Sequence, residues 1–160
     1  MRSGKPDRRT AGAGPTDDDL AELPRRGART LARHRALELL YQADLLEQPI
    51  STVLARELND PQRPRPDGYT VELVSGVERR LDEIDERIGA AAERWSIDRM
   101  PLVDRNLLRL GTFELLSSTE VPTAVVLDEA IELAKLLSTE ESSRFVNGVL
   151  GRIARELRGG

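Results

Sequence analysis

The 160-residue chain contains no cysteine and a single histidine, His34. Those two absences remove a disulfide framework, a thiolate zinc site and any His-rich metal centre. No metal ligand and no cofactor site is assigned. Aromatic residues make up only 3% of the chain, with one tryptophan among them. The core must therefore be aliphatic, and each aromatic on a surface becomes informative. No apolar run approaches the roughly 18 residues needed to span a bilayer. The basic N-terminus lacks the apolar segment of a signal peptide, so the sequence predicts a cytoplasmic protein. There is no G-x-S-x-G elbow, and the one imidazole sits among arginines that disfavour its protonated form. No catalytic residue is assigned and no enzyme activity is expected.

What the chain does have is charge. Charged residues reach 32%, with a formal balance of −4. The first 35 residues are basic on balance, while Glu72–Glu93 and Asp128–Glu141 lean acidic, so a nucleic-acid contact would have to be local. Residues 1–24 are rich in Gly, Pro, Asp and Arg and lack periodicity, which predicts a disordered tail. GAGP at Gly12–Pro15 has no flanking strand and helix, so it is not a phosphate loop.

Residues 25–160 are expected to form one domain. No stretch alternates with period two, and the apolar residues recur at helical spacing throughout, which predicts an all-α protein of about seven helices. Arg25–Leu46 is an amphipathic helix whose Ala32, Ala36, Leu39, Leu40, Ala43 and Leu46 face a core. A short helix, Thr52–Leu58, follows with Ser51 as its cap, then a proline-rich loop, Pro61–Gly68. One long helix is expected over Tyr69–Glu93, its seam running Val74, Val77, Leu81, Ile84, Ile88 and Ala91 and extended by Trp95. Pro101–Ser117 is apolar on so many sides that it belongs at the centre of a bundle. Pro122 opens the next helix, with Glu129 and Glu132 facing out. Ser138 and Glu141 have capping-box spacing at the start of the last helix. Gly148 and Gly151 inside that helix cost roughly 1 kcal/mol each, so something is expected to approach closely there, a neighbouring helix or a ligand.

Arg26, Arg29 and Arg33 line one edge of the first helix, with no carboxylate between Arg25 and Arg35 to neutralise them. Leu37 and Tyr41 continue that line, and His34 lies beside Tyr41. Such a face suits phosphate contacts and stacking on a base; a solvated surface is the competing reading.

Three segments carry a family resemblance. Asp128–Ile153, DEAIELAKLLSTEESSRFVNGVLGRI, is similar to the signature of the NusB family of transcription antitermination factors. Ala32–Leu45, ARHRALELLYQADL, and Val103–Leu110, VDRNLLRL, resemble further segments of the same family in the same order. The likeness spans about Arg25 to Leu157 and leaves Met1–Pro24 outside.

The resemblance implies two small packed helical bundles, about 25–93 and 94–158, with the first three helices lying across the others. It implies a non-catalytic factor that binds boxA RNA of ribosomal RNA leaders with the ribosomal protein NusE. That complex acts with other Nus factors to help RNA polymerase resist termination. Arg25, Arg26, Arg29 and Arg33 match the arginine-rich first helix of the family. Arg144 and Phe145 are implied as a second RNA contact, Arg144 to a phosphate and Phe145 by stacking, although Phe145 also suits a core. Tyr41 and Asp104 are implied at the NusE surface. Here Gly27, Ala28, Thr30 and Leu31 interrupt the arginine cluster, which weakens the case for RNA binding by this chain alone. NusB-like proteins occur as monomers or dimers, so a homodimer stays open. The alternatives are a helical adapter without RNA binding, or the RNA-binding domain of an RNA cytosine methyltransferase, whose cofactor-binding domain would be expected after Gly160.

Overall fold

The computed structural model describes residues 27–117 and 120–159. The expected tail, residues 1–24, and the candidate contacts Arg25 and Arg26 lie outside the described residues. The elements are α1 (Ala28–Leu46), α2 (Ile50–Leu58), α3 (Gly68–Arg79), α4 (Leu81–Ala92), a 3₁₀ turn at Ile97–Arg99, α5 (Leu102–Ser117), α6 (Thr123–Leu137) and α7 (Glu140–Arg158). Among the described residues there is no strand, and the chain is all-α.

Helix α5 lies at the centre, packed against α1, α3, α4, α6 and α7. Every residue from Asn106 to Leu115 is buried, so its polar side chains must find partners inside the protein. Asn106 Nδ2 donates to Asp44 Oδ2 of α1 at 2.8 Å. Arg109 reaches the same oxygen at 3.2 Å and makes a two-pronged pair with Asp85 of α4, both bonds 2.9 Å. Burial alone would disfavour the Arg109 charge, but Asp85 and Asp44 outweigh it and hold its pKa above the ordinary value. This polar seam stitches the first helix to the fourth through the fifth.

Several expectations of local structure are corrected. Tyr69–Glu93 is two helices, because Arg80, at φ −115° and ψ 24°, leaves the helical region. The break has a packing reason. Helix α3 lies against α1, α2 and α5, whereas α4 lies against α5 and α7, so one straight rod could not serve both sets. The change of neighbours thus falls at Arg80. Val74, Val77, Ile84 and Ile88 are fully buried as the seam required, but Trp95 is 52% exposed and stands outside it. The second helix starts at Ile50 after Pro49, so Ser51 lies within its first turn and not at the cap, its amide donating to Glu78 Oε2. Thr139, not Ser138, caps the last helix, accepting from the Ser142 amide at 3.0 Å.

The close approaches are also elsewhere. A Cβ on Gly148 would meet nothing within 4 Å, and one on Gly151 only the Arg155 guanidinium at 3.7 Å. At Gly76 the added carbon would sit 2.1 Å from the Phe113 ring, where α3 crosses α5. Gly76→Ala is accordingly expected to destabilise by about 1–3 kcal/mol despite its gain in helix propensity. Gly148→Ala should stabilise by up to about 1 kcal/mol. Urea denaturation of both variants checks the pair, and equal shifts would show that the Phe113 contact does not govern.

Candidate nucleic-acid interface

Helix α1 starts after Gly27 with no side-chain cap and no acidic residue in its first turn. Its positive N-terminal end is therefore uncompensated from within the helix. Arg29 is exposed there, its guanidinium 4.5 Å from the centre of the Tyr69 ring. Stacking on the ring holds the group while leaving it open to solvent.

Arg33, one turn on, is not on this surface. It is buried, with Nε and Nη2 each 2.8 Å from the Glu114 carboxylate of α5 and Nη1 3.4 Å from Glu129 of α6. Burial alone would disfavour its charge, yet Glu114, Tyr69 and Glu129 together hold its pKa above the ordinary value. The expected second face fails for the same reason. Leu37, His34 and Tyr41 are buried, because α1 is covered by α3 on one side and by α5 on another. Glu129, expected to face solvent, turns inward to Arg33. Tyr69 completes the cluster by donating its hydroxyl to Glu114 Oε2. Burial and the Glu114 carboxylate push the Tyr69 hydroxyl well above its usual pKa, with Arg33 and Arg29 opposing.

Asp104 and Phe145 come together at the other end of α5, and Arg144 is the chain neighbour of Phe145. Asp104 and Glu114 are ten residues apart on one helix, about 15 Å at 1.5 Å per residue. The structure therefore separates the candidate contacts into two groups. Arg144 is exposed and Phe145 is half-buried. Phe145 lines a cleft of about 380 Å³ together with Trp95, Met100, Asp104, Glu141 and Ser142. Trp95 meets Phe145 edge to face, centroids 6.3 Å apart and planes at 71°. Asp104 is 3% exposed; its Oδ2 accepts from the Ser142 hydroxyl at 3.0 Å, and its Oδ1 has no hydrogen-bond partner.

Three members of these sites escaped the sequence. Glu114 and Tyr69 serve Arg33 across 81 and 36 residues of chain, and no local pattern announces such pairs. Trp95 carries a signal, its solitude in an aromatic-poor chain, but its spacing continues the seam and hides that signal.

Burial raises the Asp104 pKa above its ordinary 3.8, with Ser142 and Ser138 opposing. The native state then keeps a proton that the unfolded state loses just above that value. The cost of the buried charge is thus absent below pH 3.8, grows as pH rises through the window and is complete above the raised pKa. Asp104→Asn should raise stability at pH 7 by on the order of 1 kcal/mol, about 2–4 °C in Tm. Thermal melts should show that gain vanishing as pH falls below 4. Arg33→Ala leaves two buried carboxylates without their cation and should cost about 3–5 kcal/mol by denaturant titration.

The comparisons with known proteins agree with this architecture. The NusB family model matches residues 30–155. The transcription antitermination protein NusB of Salinispora tropica is 52% identical over 129 residues, covering 79% of this chain and 95% of its own length. NusB of T. maritima superposes with a TM-score of 0.72 at 36% identity, over 82% of this chain and 93% of that one. A structure of the antitermination factors NusB and NusE in complex with dsRNA gives a TM-score of 0.68 at 32% identity, over 80% and 96% of the two chains. A match this broad leaves only short ends unaccounted for, and the chain belongs to the NusB family of transcription antitermination proteins, which are not enzymes.

Proposed function

We propose that this chain binds boxA-type RNA of ribosomal RNA leader transcripts together with NusE. In that role it serves the antitermination complex of RNA polymerase and other Nus factors. The observation that carries the reading is the start of α1: an exposed arginine held on a tyrosine ring, at a helix end with no acidic residue in its first turn. Arg25 and Arg26 precede it in the chain and extend the same charge. A neighbouring structure that holds NusB, NusE and RNA together supports the reading.

Within it, Arg29 and Arg144 meet phosphates and Phe145 stacks on a base. Arg33 is a positioning residue: its pair with Glu114 fixes α1 and stands the Tyr69 ring beneath Arg29. Asp104, at the cleft, and Tyr41 belong to the NusE side, Tyr41 from its buried place by shaping α1. The adapter reading is favoured by one observation, that the guanidinium of Arg33 is already engaged by carboxylates. Self-association is a further expectation, tested by light scattering over a concentration series with and without NusE.

The deciding experiment titrates fluorescently labelled RNA, single-stranded and duplex, at two salt concentrations with and without NusE. The variant is Arg29→Glu combined with Arg144→Glu, and Arg33 is left intact so that folding is preserved. Loss of two phosphate contacts should flatten the salt dependence on single-stranded RNA by about 1.4 in log–log slope. Equal behaviour of variant and wild type would make these arginines a solvated face and leave the adapter.

A further inference from the structure

Helix α5 ends at Ser117, so the carbonyls of its last turn, from Glu114 on, have no partner within the helix. Glu114 and Leu115 are both buried, and their carbonyls need donors from the protein. Those donors come from the far end of the chain. Arg158, the last residue of α7, donates from Nη2 to the Glu114 and Leu115 carbonyls, both at 3.2 Å, and from Nε to Leu115 at 3.3 Å. Its Nη1 reaches the Val121 carbonyl at 2.9 Å and the Thr123 hydroxyl at 3.2 Å, where α6 begins. Five bonds match the five N–H groups of a guanidinium. The positive charge also lies at the negative end of α5.

One side chain thus joins the end of α5 to the start of α6, and that junction borders the cationic surface. Ser117, Glu120 and Val121 share a hollow of about 80 Å³ with Arg29 and Tyr69. Glu114 lines the same hollow and is held twice, its carbonyl by Arg158 and its carboxylate by Arg33 and the Tyr69 hydroxyl. Arg29 stands on the Tyr69 ring, 4.5 Å from its centre. A run of direct contacts therefore leads from the last turn of α7 to the first turn of α1, through Arg158, Glu114, Tyr69 and Arg29.

We propose that Arg158 is a positioning residue for RNA binding. By clasping the junction of α5 and α6 it fixes Glu114, and through Glu114 the Tyr69 ring that presents Arg29 to a phosphate. The proposal rests on the RNA-binding reading and adds to it a residue that touches no RNA, because its donors are engaged inside the protein. Lysine is no substitute, since a single ammonium lacks the planar fork that reaches two elements at once.

Two readouts test it on the full chain. In the free protein, the Arg29 side-chain protons over the Tyr69 ring carry an upfield ring-current shift in the NMR spectrum, and Arg158→Ala should reduce it. With NusE present, the anisotropy of fluorescently labelled single-stranded RNA is followed well below the melting temperature of each variant. Arg158→Ala should bind about threefold to tenfold more weakly, and the same substitution in an Arg29→Ala background should have little further effect. Arg158→Lys should lose affinity too, and it replaces the alanine variant in every arm if circular dichroism shows that variant unfolded.

An unchanged affinity, whatever happens to the melting temperature, makes the clasp a matter of stability alone and overturns the proposal while the RNA reading stands. An unchanged Arg29 ring shift overturns it as well. A loss that persists in the Arg29→Ala background, with a log–log salt slope lower by about 0.7, marks Arg158 as a phosphate contact in its own right and overturns the positioning role. Full affinity in Arg158→Lys shows that charge suffices and does the same. Absence of RNA binding by the wild type in every condition ends the parent reading, and the proposal with it.

Discussion

The pair between Arg33 and Glu114 is the constraint on which the surface depends. A guanidinium taken out of water needs a carboxylate in good geometry, and Glu114 meets it with two bonds of 2.8 Å. Because the two residues belong to α1 and α5, the pair fixes how the first helix lies on the central one. The carboxylate then collects the Tyr69 hydroxyl from α3, and Glu129 brings in α6. Arg29 stacks on the ring that this cluster holds. One buried charge thereby organises four helices and the exposed cation above them.

The same geometry sorts the arginines of α1 by role. Arg29 is a surface group, Arg33 an internal one, and Arg35 clamps Glu57 and the Pro64 carbonyl of the proline-rich loop. Residues four and six apart on one helix therefore do three different jobs, decided by what lies opposite each. At the far end of α5 the apolar cleft is bordered by carboxylates. The molecule carries two chemically distinct surfaces, a cationic one beside Glu114 and an aromatic one beside Asp104.

Much of this was legible in the sequence, and the rest was hidden for identifiable reasons. Periodicity exposed the helical segments, although it ran α3 and α4 together, and the apolar circumference of Leu102–Ser117 marked it as central, because burial on all sides leaves a pattern within one segment. Arg33 misled because its isolation from carboxylates is real only along the chain; Glu114 and Glu129 arrive from elsewhere. Tyr41 and Leu37 misled because α1 is covered on two sides, which a single amphipathic arc does not reveal. The break at Arg80 follows from the change in what the two half-helices touch, since neither glycine nor proline marks it. Phe145, half-buried beside Trp95, has features of both readings that the sequence left open.

The central place of α5 also bears on how the chain acquires its structure. The polar contacts that seat α1 join residues 62, 65 and 81 positions apart. Contacts of such sequence separation are made late, after the entropy of closing long loops has been met. During synthesis α1 is made first, yet the α5 partners of Arg33 and Asp44 follow only some 60 to 80 residues later. Helices α1–α3 are therefore made before the bonds that seat them on α5 can form, and Arg33 takes its two bonds to Glu114 only when the second half of the chain has been made.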